Sequence, residues 1–257
     1  MPARMTGRVA IVTGGGGGIG LATGRLFAEE GAAIALVDSD GPAARAAAAT
    51  IEKSVTGARV VPLAADLTVE DEARRVVGET LARFGALHTL VNVAGVRVYT
   101  PLADADATDW HFILGVNVLA TAYCCKAAVP SLRTAERGTI VNVSSVYGVM
   151  GRAGMGQYDT TKAAVLGFTR ALAVEEAPHG VRVNAVCPGS TITPYHIRRA
   201  ASQGISEADL RTRRTDNLLG RWADPREVAY PILFLACDES SYVTGATLMV
   251  DAGKSIL

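Results

Sequence analysis

The stretch Val9-Ala10-Ile11-Val12-Thr13-Gly14-Gly15-Gly16-Gly17-Gly18-Ile19-Gly20 decides the fold. A short apolar run passes directly into glycines, and the glycines open an amphipathic run from Leu21 to Ala28 with helical spacing. Strand, tight turn and helix in that order make a phosphate cradle. Glycine lets the backbone turn sharply and approach a pyrophosphate closely, and the free N–H groups at a helix start favour anionic oxygens. A flexible linker would share the glycine content but would not be flanked by a buried strand and an amphipathic helix. Gly14, Gly18, Ile19 and Gly20 are therefore candidate cofactor-binding residues.

Outward from that turn, short β-rich runs alternate with helical patterns: Ala33 to Val37, Val60 to Leu63, Thr89 to Val91, Thr139 to Val143 and Val181 to Val186. Near-continuous apolar strands separated by helix-length segments suit a parallel sheet buried on both faces. A last strand, Thr247 to Val250, follows a helix expected to start at Asp224-Pro225, with Asp as cap and Pro in the first turn. The expectation is an α/β class, doubly wound Rossmann fold, with a seven-stranded parallel sheet and helices on both faces. The alanine-rich run Ala43 to Ala49 reads as an ordinary helix because its apolar face continues to Ile51.

With 257 residues and no compositional break, the chain reads as a single dinucleotide-binding and catalytic domain over 1–257. Twenty-five basic residues balance twenty-five acidic ones, so no overall field draws the protein to nucleic acid or an anionic membrane, and a small molecule is the expected partner. The first apolar stretch stops at Thr13, too short to span a bilayer and without a signal-peptide cleavage pattern, from which a cytoplasmic location is expected. Cys124, Cys125, Cys187 and Cys237 show neither metal-ligand nor disulfide spacing and read as reduced packing residues. His196 has no second His or Cys at ligand spacing, so no metal is expected.

The second strand ends in Asp38, eighteen residues after Gly20, where a carboxylate can accept hydrogen bonds from the adenosine ribose. A 2′-phosphate would meet it as a like charge, which favours NAD over NADP; alternatively, Asp38 only begins a turn. Tyr158 and Lys162 are four residues apart, so a helix stacks them on one face. An ammonium beside a phenol favours phenolate and draws its pKa from about 10 toward the working range. Ser145 lies thirteen residues upstream.

Together these residues resemble the short-chain dehydrogenase/reductase (SDR) family from about Arg8 to Gly253, because five signatures fall in order. The turn carried by Thr13, Gly14, Gly18 and Gly20 is similar to the family's Thr-Gly-x-x-x-Gly-x-Gly, and Asp66-Leu67 to its adenine contact. Asn92-Val93-Ala94-Gly95 resembles the family's Asn-Asn-Ala-Gly, with Val93 replacing a polar residue that usually braces the sheet. Asn117, Ser145, Tyr158 and Lys162 match its catalytic tetrad, and Pro188-Gly189 with Thr191 and Thr193 resembles the loop that holds the nicotinamide carboxamide. Val250-Asp251-Ala252-Gly253 stands in place of the commoner Asp-Gly-Gly ending.

The resemblance implies a mechanism. Tyr158 would exchange the substrate hydroxyl proton while hydride passes between carbinol carbon and nicotinamide, and Lys162 would stabilise tyrosinate and reach the nicotinamide ribose. Ser145 would hydrogen-bond the substrate oxygen, and Asn117 would hold a water linking Lys162 to solvent. The cofactor set is Gly14, Gly18, Ile19, Gly20, Asp38, Asp66, Leu67, Asn92, Ala94, Gly95, Tyr158, Lys162, Pro188, Gly189, Thr191 and Thr193. Residues 194–219 would form a substrate lid, with Tyr195 and His196 as pocket residues. Arg198, Arg199, Arg211, Arg213 and Arg214 in the lid, with Arg97 and Arg152 beside the pocket, would suit an anionic substrate; the other reading is a solvated face among Glu207, Asp209 and Asp216.

The expected function is an NAD-dependent oxidoreductase acting on a secondary alcohol or its ketone. Alternatives are an NADPH-dependent carbonyl reductase of the 3-oxoacyl-thioester type, disfavoured by Asp38, and a non-catalytic dinucleotide sensor, disfavoured by the intact tetrad. A homotetramer is expected from the family habit of pairing the long helices around the fifth strand and the last strand; apolar Ala163 to Phe168 and Leu233-Phe234-Leu235 agree.

Overall fold

The computed structural model describes residues 3–257. Seven strands, β1 (Val9–Thr13), β2 (Ala33–Asp38), β3 (Arg59–Ala64), β4 (Thr89–Asn92), β5 (Thr139–Val143), β6 (Arg182–Pro188) and β7 (Thr247–Val250), form one sheet in the order β3-β2-β1-β4-β5-β6-β7. Every neighbouring pair is parallel. The interior strands are buried along their length because side chains alternate between two helical layers. Ala10 and Val12 of β1 join one core with α1 (Gly18–Glu29), α2 (Gly41–Ser54) and α9 (Pro225–Ala236), which contribute Phe27, Ile51 and Ile232. Ile11 points the other way, into a second core with α3 (Glu70–Phe84), α5 (Ala120–Thr134) and α6 (Gly156–Glu176), which contribute Val76, Leu132 and Leu172.

Local signals account for the boundaries. The alanine-rich helix α2 starts on an Asp40 cap whose side chain accepts from Ala43 N. Asp224 caps α9, with Pro225 in the first turn, and Glu227 closes a capping box that the Asp-Pro pair alone does not announce. Pro62 sits in β3, where an edge strand tolerates the missing N–H. The strand β6 extends two residues beyond its apolar signal, carrying Cys187 and Pro188 to the carboxyl end of the sheet. All four cysteines are free and buried.

The substitution of Val93 does not leave the sheet without a polar brace. Asn92 Nδ2 donates to Asn142 Oδ1 at 2.9 Å, and Asn142 Nδ2 donates to Thr169 Oγ1 at 3.0 Å, tying β4, β5 and α6 together through fully buried groups. Val93 packs against the first core instead. Between β4 and β5, α4 (Ala107–Leu114), a π turn (Gly115–Leu119) and α5 follow one another as a helical rod, Ala107–Thr134, long and apolar enough by length and composition to cross a bilayer. Its Cys124, Cys125, Ala128 and Leu132 are instead core residues of this fold. Within 194–219 lie two short helices, α7 (Pro194–Ala201) and α8 (Glu207–Thr212).

Candidate active site

Strand order reverses direction between β1 and β4, and the crevice beyond their carboxyl ends is where an open α/β sheet takes a ligand. Both chains leave the sheet there at close quarters. Thr13 Oγ1 accepts from Val93 N at 3.0 Å and Ala94 N at 3.1 Å, and a Cβ on Gly14 would come within 3.0 Å of Ala94 N. Gly14 and Gly18 have φ of 63° and 54°, the left-handed region that only glycine enters cheaply. At Gly20 a Cβ would lie 2.0 Å from Gly14 O, so the first turn of α1 packs directly on the glycine loop. These close backbone approaches and the α1 N-terminus fit a pyrophosphate.

The Asp38 side chain stands at the same rim. Its Oδ2 accepts from Gly16 N at 2.9 Å and its Oδ1 from Asp40 N at 3.0 Å. Asp66 is exposed and pinned by Thr68, whereas the Leu67 side chain is buried in the second core, leaving only its backbone for a ligand. Across the crevice, Gly189 lies so near Asp251 that a Cβ would approach its Cα to 2.8 Å. Thr191 is buried and bridges to Ala223, while Thr193 and Pro194 lie over the glycine turn, 3.1 Å from a Cβ on Gly18 and 3.2 Å from one on Gly17.

Tyr158 and Lys162 occupy successive turns of α6, 6% and 4% exposed. Lys162 Nζ donates to Val143 O at 3.0 Å and lies 5.8 Å from the centre of the Tyr158 ring. Burial raises the phenol pKa, but the Lys162 and Arg97 charges and a hydrogen bond with Ser145 outweigh it, so Tyr158 titrates below the ordinary tyrosine value. Burial also lowers the Lys162 pKa, opposed by Tyr158. Ser145, at the end of β5, caps a short 3₁₀ turn by accepting from Tyr147 N at 3.2 Å.

Asn117 sits in the π turn, and its side chain is engaged by protein. Oδ1 accepts from Val96 N at 2.8 Å, and Nδ2 donates to Val96 O and Thr161 Oγ1 at 3.0 and 2.9 Å. It nevertheless borders the lysine, since a Cβ on Gly95 would stand 3.2 Å from Lys162 Nζ and 3.3 Å from Asn117 Oδ1. A π turn inside a helix is a common mark of a functional position.

The crevice wall beyond the Tyr158 ring is built by contacts distant in sequence. His196 accepts from Arg97 Nη1 through Nε2 at 2.6 Å, which puts its proton on Nδ1 facing Thr193 Oγ1 at 2.9 Å. Burial and the Arg97, Arg199 and Arg152 charges push its pKa down to about 3, so the ring is neutral. Tyr195 donates to Tyr99 at 2.7 Å, and the Arg199 guanidinium stacks 4.0 Å from the Tyr99 ring, docking α7 on the loop after β4. Of the other lid arginines, Arg211 pairs with Glu207 at 2.7 Å, while Arg198, Arg213 and Arg214 face solvent. Arg152, expected to border the pocket, has its guanidinium over Tyr147 and beside Tyr158. Trp222, which the sequence reading did not single out, packs edge-on against His196 at 5.2 Å.

A glycine turn at a sheet reversal, facing a buried tyrosine-lysine pair, defines a dinucleotide-dependent oxidoreductase. A family model described as enoyl-(acyl carrier protein) reductase matches residues 14–255. The chain is similar to L-fucose dehydrogenase of Bos taurus, 38% identical over 100% of this chain and 92% of the relative. It is 40% identical to cis-4-hydroxycyclohexanecarboxylate dehydrogenase of Sinomonas cyclohexanicum, over 96% of each chain. It is also 36% identical to a 3-oxoacyl-(acyl-carrier-protein) reductase of Thermotoga maritima, over 98% of this chain and 100% of the relative. The chain belongs to the short-chain dehydrogenase/reductase family and is an oxidoreductase acting on CH–OH groups with a nicotinamide dinucleotide.

Proposed function

We propose that this enzyme interconverts a small secondary alcohol and its ketone with NAD, using Tyr158 as general acid and base. The buried Tyr158–Lys162 pair carries the reading, because a phenol titrating below its usual value can accept a hydroxyl proton. When bound, the nicotinamide supplies hydride acceptance and donation. Ser145 holds the substrate oxygen beside Tyr158, and Lys162 favours the phenolate while its remaining donors reach toward the ribose. Asn117 keeps the Val96 backbone in place beside Lys162. In the oxidative direction the carbinol carbon loses hydride, its hydroxyl loses a proton to Tyr158, and a C=O bond forms. Gly14, Gly18, Ile19 and Gly20 receive the pyrophosphate, Asp66, Leu67 backbone and Asn92-Ala94-Gly95 the adenosine and ribose side, and Pro188, Gly189, Thr191 and Thr193 the carboxamide.

The NAD choice rests on Asp38, whose carboxylate at the end of β2 favours ribose hydroxyls and repels a 2′-phosphate. The same observation weighs against an NADPH-dependent 3-oxoacyl-thioester reductase, despite the reductase relative. The segment 194–219 acts as the lid, and the protein works in the cytoplasm as a homotetramer. Exposed Phe112 and Leu119 beside α5, Val174 on α6, and the free edge of β7 support self-association. Within the apolar runs Ala163 to Phe168 and Leu233 to Leu235, Val165, Leu166, Leu233 and Leu235 are buried in the monomer, and Phe234 alone of the 233–235 run is exposed to a partner. Purified protein incubated with NAD or NADP and a panel of neutral and acidic secondary alcohols tests the reading. NADH formation with a strong preference for NAD is expected; exclusive use of NADP, or no turnover across the panel, would overturn it.

A further inference from the structure

Two guanidinium groups crowd the proposed general base from opposite loops. The Arg97 carbon is 5.4 Å and the Arg152 carbon 5.3 Å from the centre of the Tyr158 ring. Among the described residues Arg97 has no anionic partner and Arg152 has Asp159 alone. Arg97 forms no ion pair there, and its neighbour His196 is a neutral acceptor. Arg152 lies 3.4 Å from Asp159 Oδ1 through Nε, but without hydrogen-bond alignment, and its Nε and Nη2 are buried without a partner. Asp159 Oδ1 likewise has no hydrogen-bond partner, and Oδ2 accepts from the Arg152 backbone N–H at 3.0 Å. Arg199, stacked on Tyr99, and Lys162, beside Tyr158, add further positive charge near the pocket.

Buried guanidinium donors without acceptors are costly, and a surplus of positive charge beside a reacting phenol is costly again. Both costs fall if the substrate brings the missing anion. Arginine's planar fork matches an oxyacid group through two parallel N–H bonds, and aromatic faces hold it in place; Tyr147 lies 3.7 Å beneath the Arg152 guanidinium. We propose that the substrate is a secondary hydroxy acid, or the corresponding oxo acid, whose carboxylate is bound by Arg152 with Arg97 while its carbinol meets Tyr158. This deepens the secondary-alcohol reading and rests on it for the chemical step. The hydroxy acid loses hydride to NAD and a proton through Tyr158, giving the oxo acid, NADH and a released proton.

The test separates anion recognition from turnover. Calorimetry on the enzyme–NADH complex compares benzoate with benzamide, which match in shape and differ in charge. Benzoate is expected to bind at least tenfold tighter, with the difference lost in both Arg152→Met and Arg97→Met; NADH fluorescence checks that each variant is folded. In parallel, kcat/KM is measured for hydroxy acids and their amides. An acid-to-amide ratio above about 100 in the wild type, collapsing toward one in Arg152→Met and partly restored in Arg152→Lys, supports the proposal. Equal binding of benzoate and benzamide, or a ratio that Arg152→Met leaves unchanged, overturns it. If neither alcohol class reacts, the dehydrogenase reading fails and the benzoate comparison alone decides the anion site.

Discussion

Lys162 reaches past the Tyr158 ring rather than bonding its hydroxyl: Nζ is 5.8 Å from the ring centre and donates to Val143 O at 3.0 Å. It acts on the phenol as a fixed charge anchored to the end of β5, and Arg97 adds a second charge from the facing loop. Alcohol oxidation needs phenolate, so kcat in that direction rises with pH through a midpoint below the ordinary value of about 10. Ketone reduction needs the phenol and falls through the same midpoint. Arg97→Met removes one of the charges that depress the pKa, and its oxidation profile should therefore move to higher pH; pH–rate curves for wild type and variant check the sign.

Gly20→Ala places a methyl group where Gly14 O already stands, 2.0 Å from the ideal Cβ position. The glycine turn and the α1 start cannot both keep their places, so NADH binding should be lost and thermal stability lowered. Fluorescence titration and thermal unfolding measure the two effects. Gly78→Ala, on the outer face of α3 where a Cβ meets nothing within 4 Å, should cost neither.

Asp38 holds Gly16 N, and the proposed function adds a second task, facing the ribose. Asp38→Ala should weaken NADH binding and cut the preference for NAD over NADP by about tenfold, the worth of roughly one charge-assisted hydrogen bond. The ratio of kcat/KM values with the two dinucleotides reads this directly. An unchanged ratio would mean that Asp38 only shapes the turn.

The buried amide chain Asn92–Asn142–Thr169 offers a test of stability. Asn142→Ala strips an acceptor from Asn92 and a donor from Thr169 and opens a small cavity, which should cost about 2–4 kcal/mol in denaturant unfolding. A loss below about 0.5 kcal/mol would show that the neighbouring groups find other partners.

The legible parts of the sequence are those encoded by neighbours. The apolar runs predict all seven strands because a strand buried on both faces leaves a continuous signal, and Asp224-Pro225 marks a helix start with two local rules. Tyr158 and Lys162 declare themselves by helical spacing. The pocket wall is different. Arg97 and His196 bond across 99 residues, and whether Arg152 is paired depends on how Asp159 is angled seven residues away. Sequence alone therefore groups Arg211, which is neutralised by Glu207, with Arg152, whose Nε and Nη2 lack hydrogen-bond acceptors. Leu67 is another case: its side chain serves the core, so only its backbone can serve a ligand.

The most direct measurement is the turnover of Tyr158→Phe on the best secondary alcohol, alongside its NADH affinity. The hydroxyl is removed while the ring keeps its place among Ile113, Met155 and Tyr147. A fall in kcat of about 100-fold to 10,000-fold is expected, with NADH binding within about twofold of the wild type. Retention of more than a tenth of the wild-type kcat would contradict it, because the proton would then leave by a route that does not use Tyr158.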